Sequence, residues 1–255
     1  MNFYCCVHSQ AALDLHREYS QRLDGFMDKD IPYKYICGTK SRNDFTTPVV
    51  NAYDGNPLVE FNRQFRPLTS IYHLLNGGED SRFYFSNCSF FLKNFKLETI
   101  EKFDLVVEGL GRGPVYDESG ELMPYVASAI QGLFGRAGNE REDVIRFYKD
   151  NFGFDLLGKD HQRMQICCSF INPANPYIKQ WFNGTLLPFM RDGNIRYFNQ
   201  EIILILFAHT FLEYADKISI KSGIVSKWYS SKEMENDIAN SITSHSIKDL
   251  HYYGD

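Results

Sequence analysis

Cysteine pairs spaced for metal or redox work are missing from this 255-residue chain. Its six cysteines, Cys5, Cys6, Cys37, Cys88, Cys167 and Cys168, form two adjacent pairs and no Cys-x-x-Cys. That excludes a zinc-ribbon or thioredoxin-type site. Four of them lie inside apolar, strand-like segments, which predicts buried, reduced thiols and a cytoplasmic protein. A membrane-length hydrophobic run is missing too. The longest apolar stretch, Ile202 to Leu212, is interrupted by His209 and Thr210 and falls short of the roughly 20 residues a span needs. The start, Met1 to His8, has no basic region and no apolar run of signal-peptide length. Positive charge is not in excess either. There are 27 Lys and Arg against 32 Asp and Glu, a net charge of −5. This argues against a nucleic-acid binder, although a local basic groove would still serve one. Finally, no Gly-x-Gly-x-x-Gly opens a helix, and there is no P-loop, His-Glu-x-x-His or Gly-x-Ser-x-Gly.

What remains is apolar and aromatic. A hydrophobic content of 44% with 16 Tyr and 21 Phe is enough for a sizeable core, which excludes disorder for most of the chain. Tyrosine also favours half-wet positions such as cleft walls. The length suits one large domain with a small C-terminal appendage, divided here as 1–216 and 217–255.

The order of patterns predicts an α/β fold. Phe3 to His8 reads as a strand, Ala11 to Leu23 as a helix, and Tyr33 to Cys37 as a second strand. Such a βαβ unit implies a parallel sheet with a right-handed crossover. Arg42 to Asn56 reads as a loop. Leu58 to Leu75 reads as a helix kinked or restarted at Pro67 and stopped by Asn76-Gly77-Gly78. Phe83 to Leu92 reads as one dense apolar strand and Asp104 to Glu108 as a shorter one. Gly109 to Gly120 reads as a glycine-rich loop, in which Gly109-Leu110-Gly111-Arg112-Gly113-Pro114 is a candidate phosphate cradle. Helices follow at Tyr125 to Phe134 and Glu140 to Asn151, a strand at Arg163 to Ile171, and helices starting at Pro176 and spanning Phe198 to Tyr214. Beyond Lys217 the chain turns polar, and Leu250 to Tyr253 reads as a docked tail.

This order of elements, about 200 residues long, resembles that of GT-A glycosyltransferases, with a mostly parallel central sheet flanked by helices. In that fold an Asp-x-Asp motif ends the strand matching Phe83 to Phe85, and its carboxylates hold Mn²⁺ or Mg²⁺ against the donor diphosphate. Hard divalent ions need oxygen ligands. Here the matching positions are Ser86-Asn87-Cys88, without a carboxylate. Three readings stay open: the metal has moved to Glu79 and Asp80, the enzyme works without metal, or catalysis is lost. Arg196 to Leu204 is similar to the Asp-Gln-Asp helix start of the glycogenin-like family. That resemblance places Glu201 beside the reacting sugar and makes Asn199 and Gln200 substrate contacts; an Asn cap with an acidic first turn is the plainer alternative. Ser244 to Lys248 resembles that family's His-x-x-Gly-x-x-Lys signature, without the glycine and with a shorter spacing. It implies donor-phosphate contacts for His245 and Lys248.

The resemblance implies a glycosyltransferase of the hexosyltransferase type, moving a sugar from a nucleoside diphosphate sugar to a glycan or other hydroxyl acceptor. Ser86 and Asn87 would touch the donor, and Arg112, His245 or Lys248 would neutralise the leaving diphosphate. Asp160, beside His161, is a second candidate acid or base. A catalytically silent binding protein of the same fold and a transferase acting on modified DNA are the alternatives.

Overall fold

Nearly every residue of Asn2–Cys6 (β1) is apolar or β-prone, and the strand lies in the interior of the main sheet. The computed structural model describes residues 1–39, 45–113, 141–152, 161–188, 217–222 and 226–241. After β1 come Gln10–Ser20 (α1), Lys34–Cys37 (β2), Val50–Asn51 (β3), Asn62–His73 (α2), Phe83–Asn87 (β4) and Phe90–Leu92 (β5). The later elements are Leu105–Gly113 (β6), Arg141–Phe152 (α3), His161–Ile171 (β7), Pro176–Gln180 (α4), Ile220–Ser222 (β8), Ser226–Trp228 (β9) and Ser231–Ser241 (α5).

Among the described residues, seven strands form one sheet in the order β3-β2-β1-β4-β7-β6-β8, and β5 pairs with β9 in a second, two-stranded sheet. Neighbours β3, β2, β1 and β4 are parallel, β7 runs against both β4 and β6, and β8 is parallel to β6. The expected mostly parallel α/β sheet is therefore present. Tyr4 pairs with Lys34 on one side and Phe85 on the other, so β1, β2 and β4 are adjacent as their apolar patterns required.

Pleating divides the sheet into two faces. One carries Phe3, Cys5, Tyr84, Ser86, Cys168 and Phe170. There the Tyr84 ring packs 4.7 Å from Phe170, and its hydroxyl lies 3.0 Å from the Cys168 thiol. The other face carries Tyr4, Cys6, Phe85 and Asn87 and meets α2, where the Cys6 sulfur lies 3.5 Å from the Ser70 hydroxyl. Cys5, Cys6, Cys37, Cys88 and Cys168 are buried thiols outside any disulfide, as the absence of a pairing pattern predicted. Among the described residues no helix is long and apolar enough to cross a membrane.

Ser9 caps α1 by accepting from the Ala12 N–H, and Leu13, His16, Tyr19 and Ser20 form its buried face. α2 continues through Pro67 without a restart and ends in a wide π turn, Leu74–Gly78. Gly77 sits there at φ 142°, a conformation that residues with a Cβ rarely adopt. A second π turn, Trp181–Leu186, follows α4, and the amides of Asn76 and Asn183 join the two turns reciprocally at 2.7 and 3.2 Å.

Three expectations are corrected. Phe83 to Leu92 is two strands, broken at the Cys88-Ser89 turn, because β5 leaves the main sheet to pair with β9. Gly109 to Gly113 belongs to β6 and pairs with β7, with register shifts on either side of Glu108-Gly109, so this stretch is no loop or phosphate cradle. Glycines inside a strand mark such bulges. Val50–Asn51, expected within a loop, extends the parallel sheet by one short edge strand. The predicted helices Tyr125 to Phe134 and Phe198 to Tyr214 and the tail Leu250 to Tyr253 lie outside the described residues.

A buried carboxylate anchors β5. Asp28, 2% exposed, accepts from the Leu92 N–H at 2.7 Å and the Tyr33 hydroxyl at 2.7 Å. Burial raises its pKa to about 6, with the two hydrogen bonds pulling the other way. Against the same Tyr33 ring lies His16, fully buried, stacked 5.1 Å from Phe91, with Nδ1 3.1 Å from the Tyr35 hydroxyl and Nε2 without a partner. Burial lowers its pKa to about 4. The two groups act oppositely on stability. The raised Asp28 pKa makes its contribution greatest in acid and lost as pH rises from about 4 to about 6. The lowered His16 pKa makes its contribution present at neutral pH and lost as pH falls from about 6.5 to about 4. Asp28→Asn keeps the shape and removes the first slope. Its unfolding free energy relative to wild type, measured in urea, should improve by about 2 kcal/mol between pH 4 and pH 7. A constant difference across that range would show that Asp28 does not titrate differently on folding.

Candidate functional site

β1 leads outward to β2 and β3, whereas β4 returns on the other side of β1. In open α/β sheets such a reversal leaves a crevice at the carboxyl ends of the two strands, and ligands bind there. Here the switch point lies between the ends of β1 and β4. Cys6 and Asn87 form the last registered pair, and the Cys88 N–H donates to the Cys6 carbonyl at 3.2 Å. The neighbouring chain exits converge on the same edge. Val7 donates to Ile36, continuing β1 along β2, and Ala52 donates to Cys37, continuing β3. Gln10 draws a further segment onto the start of α1, its side-chain oxygen accepting from the N–H groups of Thr46 and Thr47 at 2.9 and 3.4 Å.

Of the residues expected to touch the donor, Asn87 occupies the switch point and is half-buried. Ser86 precedes it on the opposite face, fully buried across from Cys5 and Cys168. Cys88 is buried, and burial pushes its thiol up to about 11, so it stays protonated at neutral pH. Arg112 comes to the same edge of the sheet by another route. β7 pairs with Ser86 through Cys168, and its residues 161–166 therefore run on beyond the carboxyl end of β4. The far part of β6 pairs with this overhang, Arg112 opposite Gln162 and Gly113 opposite His161.

Glu79 and Asp80 are at the other end. They precede β4, next to the start of β1, and line a shallow cleft of about 320 Å³ with Pro173, Ala174, Pro176 and Lys179. Both Glu79 oxygens are occupied. One accepts from Asn2 at 2.6 Å and the Tyr4 hydroxyl at 2.8 Å, the other from the Ser81 N–H at 3.1 Å and hydroxyl at 2.7 Å. Partial burial pushes the Glu79 pKa up, but these hydrogen bonds outweigh it and hold the carboxyl at about 2. The length of β4, about 13 Å at strand rise, separates this pair from Asn87.

Hard divalent cations require several oxygen ligands, usually carboxylates. At the carboxyl end of β4 the described side chains are a buried hydroxyl, a neutral amide and a protonated thiol. Among the described residues no group of three or more His, Cys, Asp or Glu could hold a metal. These residues do not fit Mn²⁺ or Mg²⁺. The other candidates, Asp160, Asn199, Gln200, Glu201, His245 and Lys248, lie outside the described residues. Sequence reasoning passed over His8, Ser9 and Thr39, which share the switch-point edge with Asn87. The signal available for them was position alone, a polar residue directly after a strand of a parallel unit.

No protein-family model and no curated protein sequence matches this chain. Among solved structures it is similar to the apo form of WbbM, a bifunctional glycosyltransferase, at 11% identity and a TM-score of 0.50. That match covers 90% of this chain and 45% of the other, so the chain spans less than half of that protein. The galactosyltransferase LgtC, solved in complex with donor and acceptor sugar analogues, matches at 10% identity over 96% of this chain and 98% of its own, with a TM-score of 0.40. The likeness to WbbM shows the fold, a GT-A-like α/β sheet flanked by helices.

The geometry makes Glu79 a brace between β1 and the start of β4. Its lowered pKa gives stability that is present above about 4.5 and lost as pH falls toward about 2. Glu79→Gln should melt below wild type at pH 7, and the gap should narrow steadily as the pH is taken down from 4.5. A gap that stays constant into acid would show that the carboxylate charge adds nothing to these hydrogen bonds.

Proposed function

We propose that the chain is a glycosyltransferase moving a sugar from a nucleoside diphosphate sugar to a glycan or other hydroxyl acceptor. The observation that carries this is the switch point between β1 and β4 in a sheet of GT-A type, with polar Asn87 at its edge. A donor lies across such a crevice, its nucleotide against the carboxyl ends of the parallel strands. The C1–O bond to the diphosphate breaks and its electron pair leaves with the phosphate. The acceptor oxygen bonds to C1 and its proton passes to a base.

Glu201 is the proposed carboxylate facing the sugar, with Asn199 and Gln200 beside it, and Asp160 is the next candidate for the proton. Arg112, His245 and Lys248 are the proposed partners of the diphosphate, taking the neutralising role that preorganised charges play in such transfers. The assignments of Asn199, Gln200, Glu201, His245 and Lys248 rest on the resemblance to glycogenin-like enzymes. The division into a transferase domain, 1–216, and an appendage, 217–255, belongs to the same proposal, as does a cytoplasmic location. Since the residues ending β4 do not fit a hard divalent ion, the proposal includes donor binding without Mn²⁺ or Mg²⁺. The same absence of a carboxylate favours a second reading, a silent relative that binds the donor and transfers nothing.

A panel of UDP- and GDP-sugars at millimolar concentration should raise the melting temperature, by the equivalent of about 2.7 kcal/mol for a sugar present at a hundred times its Kd. The shift should be the same with Mn²⁺ and with EDTA. If no sugar in the panel moves the transition, the donor reading is withdrawn; binding without any turnover selects the silent relative. Where turnover is found, Glu201→Gln should lower it by about 10²–10³-fold at little cost in melting temperature. Unchanged turnover would retire Glu201 and move attention to Asp160.

A further inference from the structure

The turn that follows β4 is held from two directions. On one side the Cys88 N–H bonds to the Cys6 carbonyl of β1. On the other side the Tyr229 N–H donates to the Ser89 carbonyl at 2.9 Å, and β9 then zips along β5, Phe90 opposite Trp228 and Leu92 opposite Ser226. Asn87 therefore sits two residues from a hydrogen bond made by a segment far along the chain.

That segment is locked to α1. The Tyr229 ring packs 5.1 Å from Tyr19 and 5.7 Å from Phe91, and Met234 joins the same buried cluster. The Tyr19 hydroxyl donates to Asp237 of α5 at 2.7 Å. α5 itself starts in a reciprocal cap, the Ser230 N–H donating to the Glu233 carboxylate and the Glu233 N–H to the Ser230 hydroxyl, at 2.6 and 3.2 Å. α1 begins just beyond the carboxyl end of β1 and carries Tyr19 near its far end, so the cluster joins α5 to α1 as well as to β5.

We infer that β9 and α5 form a clasp that sets the position of the Asn87-Cys88-Ser89 turn and so the affinity for the nucleoside diphosphate sugar, with Tyr19, Tyr229 and Asp237 as positioning residues. This rests on the donor reading above. The clasp touches no reacting atom. It acts by removing alternative placements of the turn, and affinity falls by the fraction of time the turn spends misplaced.

Tyr19→Phe deletes the hydroxyl–carboxylate bond and keeps the ring, and Met234→Ala loosens the cluster. Ile100→Ala, in the separate cluster around Tyr84 and Phe170, is the control for lost stability alone. Calorimetry with the best sugar of the UDP and GDP panel should show Tyr19→Phe and Met234→Ala binding more weakly than wild type, for Tyr19→Phe by up to about fivefold, the ceiling that losing one such hydrogen bond sets. Ile100→Ala should bind as wild type does despite its lower melting temperature. In the same proteins, amide exchange at Cys88 to Leu92 should speed up in the clasp variants and not in the control. Wild-type affinity in both clasp variants would overturn the clasp and leave the donor reading standing. A loss of affinity in all three in proportion to melting temperature would also overturn it. Absence of any binding by wild type would remove the donor reading and the clasp with it.

Discussion

Asp28, a buried carboxylate, fixes β5, the strand that follows the turn at the switch point. The group is 2% exposed, and burying an ionised carboxylate costs several kcal/mol unless its oxygens are satisfied. Two short hydrogen bonds, from Leu92 and Tyr33, offset part of that cost, and they also fix β5 where it leaves the main sheet. The stretch around it is stitched on both sides: Met27 donates to Leu92, Asn94 donates to Gly25, and Phe26 bridges Lys93. Once β5 is fixed there, Phe91 lies under His16 and Tyr19, and the groove that receives Tyr229 exists. The C-terminal clasp, and through it the turn after Asn87, depends on that placement.

The same interior explains why an aromatic content of 15% is useful here. His16, Tyr19, Tyr33, Tyr35, Phe91 and Tyr229 meet mainly edge to face, a geometry that rings favour over full overlap. Tyrosine hydroxyls then reach the few polar groups left inside, Asp28 and His16, and at the margin Asp237. These tyrosines act as the polar handles of the core.

Much of the fold was legible because its signals are local. The apolar runs at Phe3 to His8 and Tyr33 to Cys37, with a capped helix between them, specify a parallel unit, and its register follows from burying both faces. What was not legible depends on distant partners. Phe83 to Leu92 reads as one strand because hydrophobicity does not change at Cys88, where the chain changes sheets, and its second partner, Ser226–Trp228, lies in a polar stretch. Gly109 to Gly113 reads as a loop because glycine disfavours strands, and only the overhanging part of β7 supplies the ladder that holds it. Of the candidate site, the resemblance named Asn87, and the structure puts it at the end of β4 beside Cys6. Ser86 was named with it, but alternation along β4 sends the two side chains to opposite faces, and pairing with Cys5 and Cys168 buries the serine. Glu79 and Asp80 are near in sequence and a strand's length away in space.

Asn87 also sets the electrostatic terms of the proposed transfer. A leaving diphosphate gains negative charge as its bond to the sugar breaks. A carboxylate at the switch point suits that event only when a divalent cation stands between the two. Without the cation, a carboxylate about 4 Å from a phosphate oxygen would oppose it by about 4 kcal/mol at an effective dielectric constant near 20. A neutral amide removes that repulsion and can still orient the donor through its N–H groups. The missing acid and a metal-free donor are therefore one adaptation on this reading, and the charge has to be met by the protein's own cations. In a chain of net charge −5 such cations count by placement rather than number. The overhang of β6 and β7 carries the backbone of Arg112 past the end of β4, to the side of the sheet where that charge would develop.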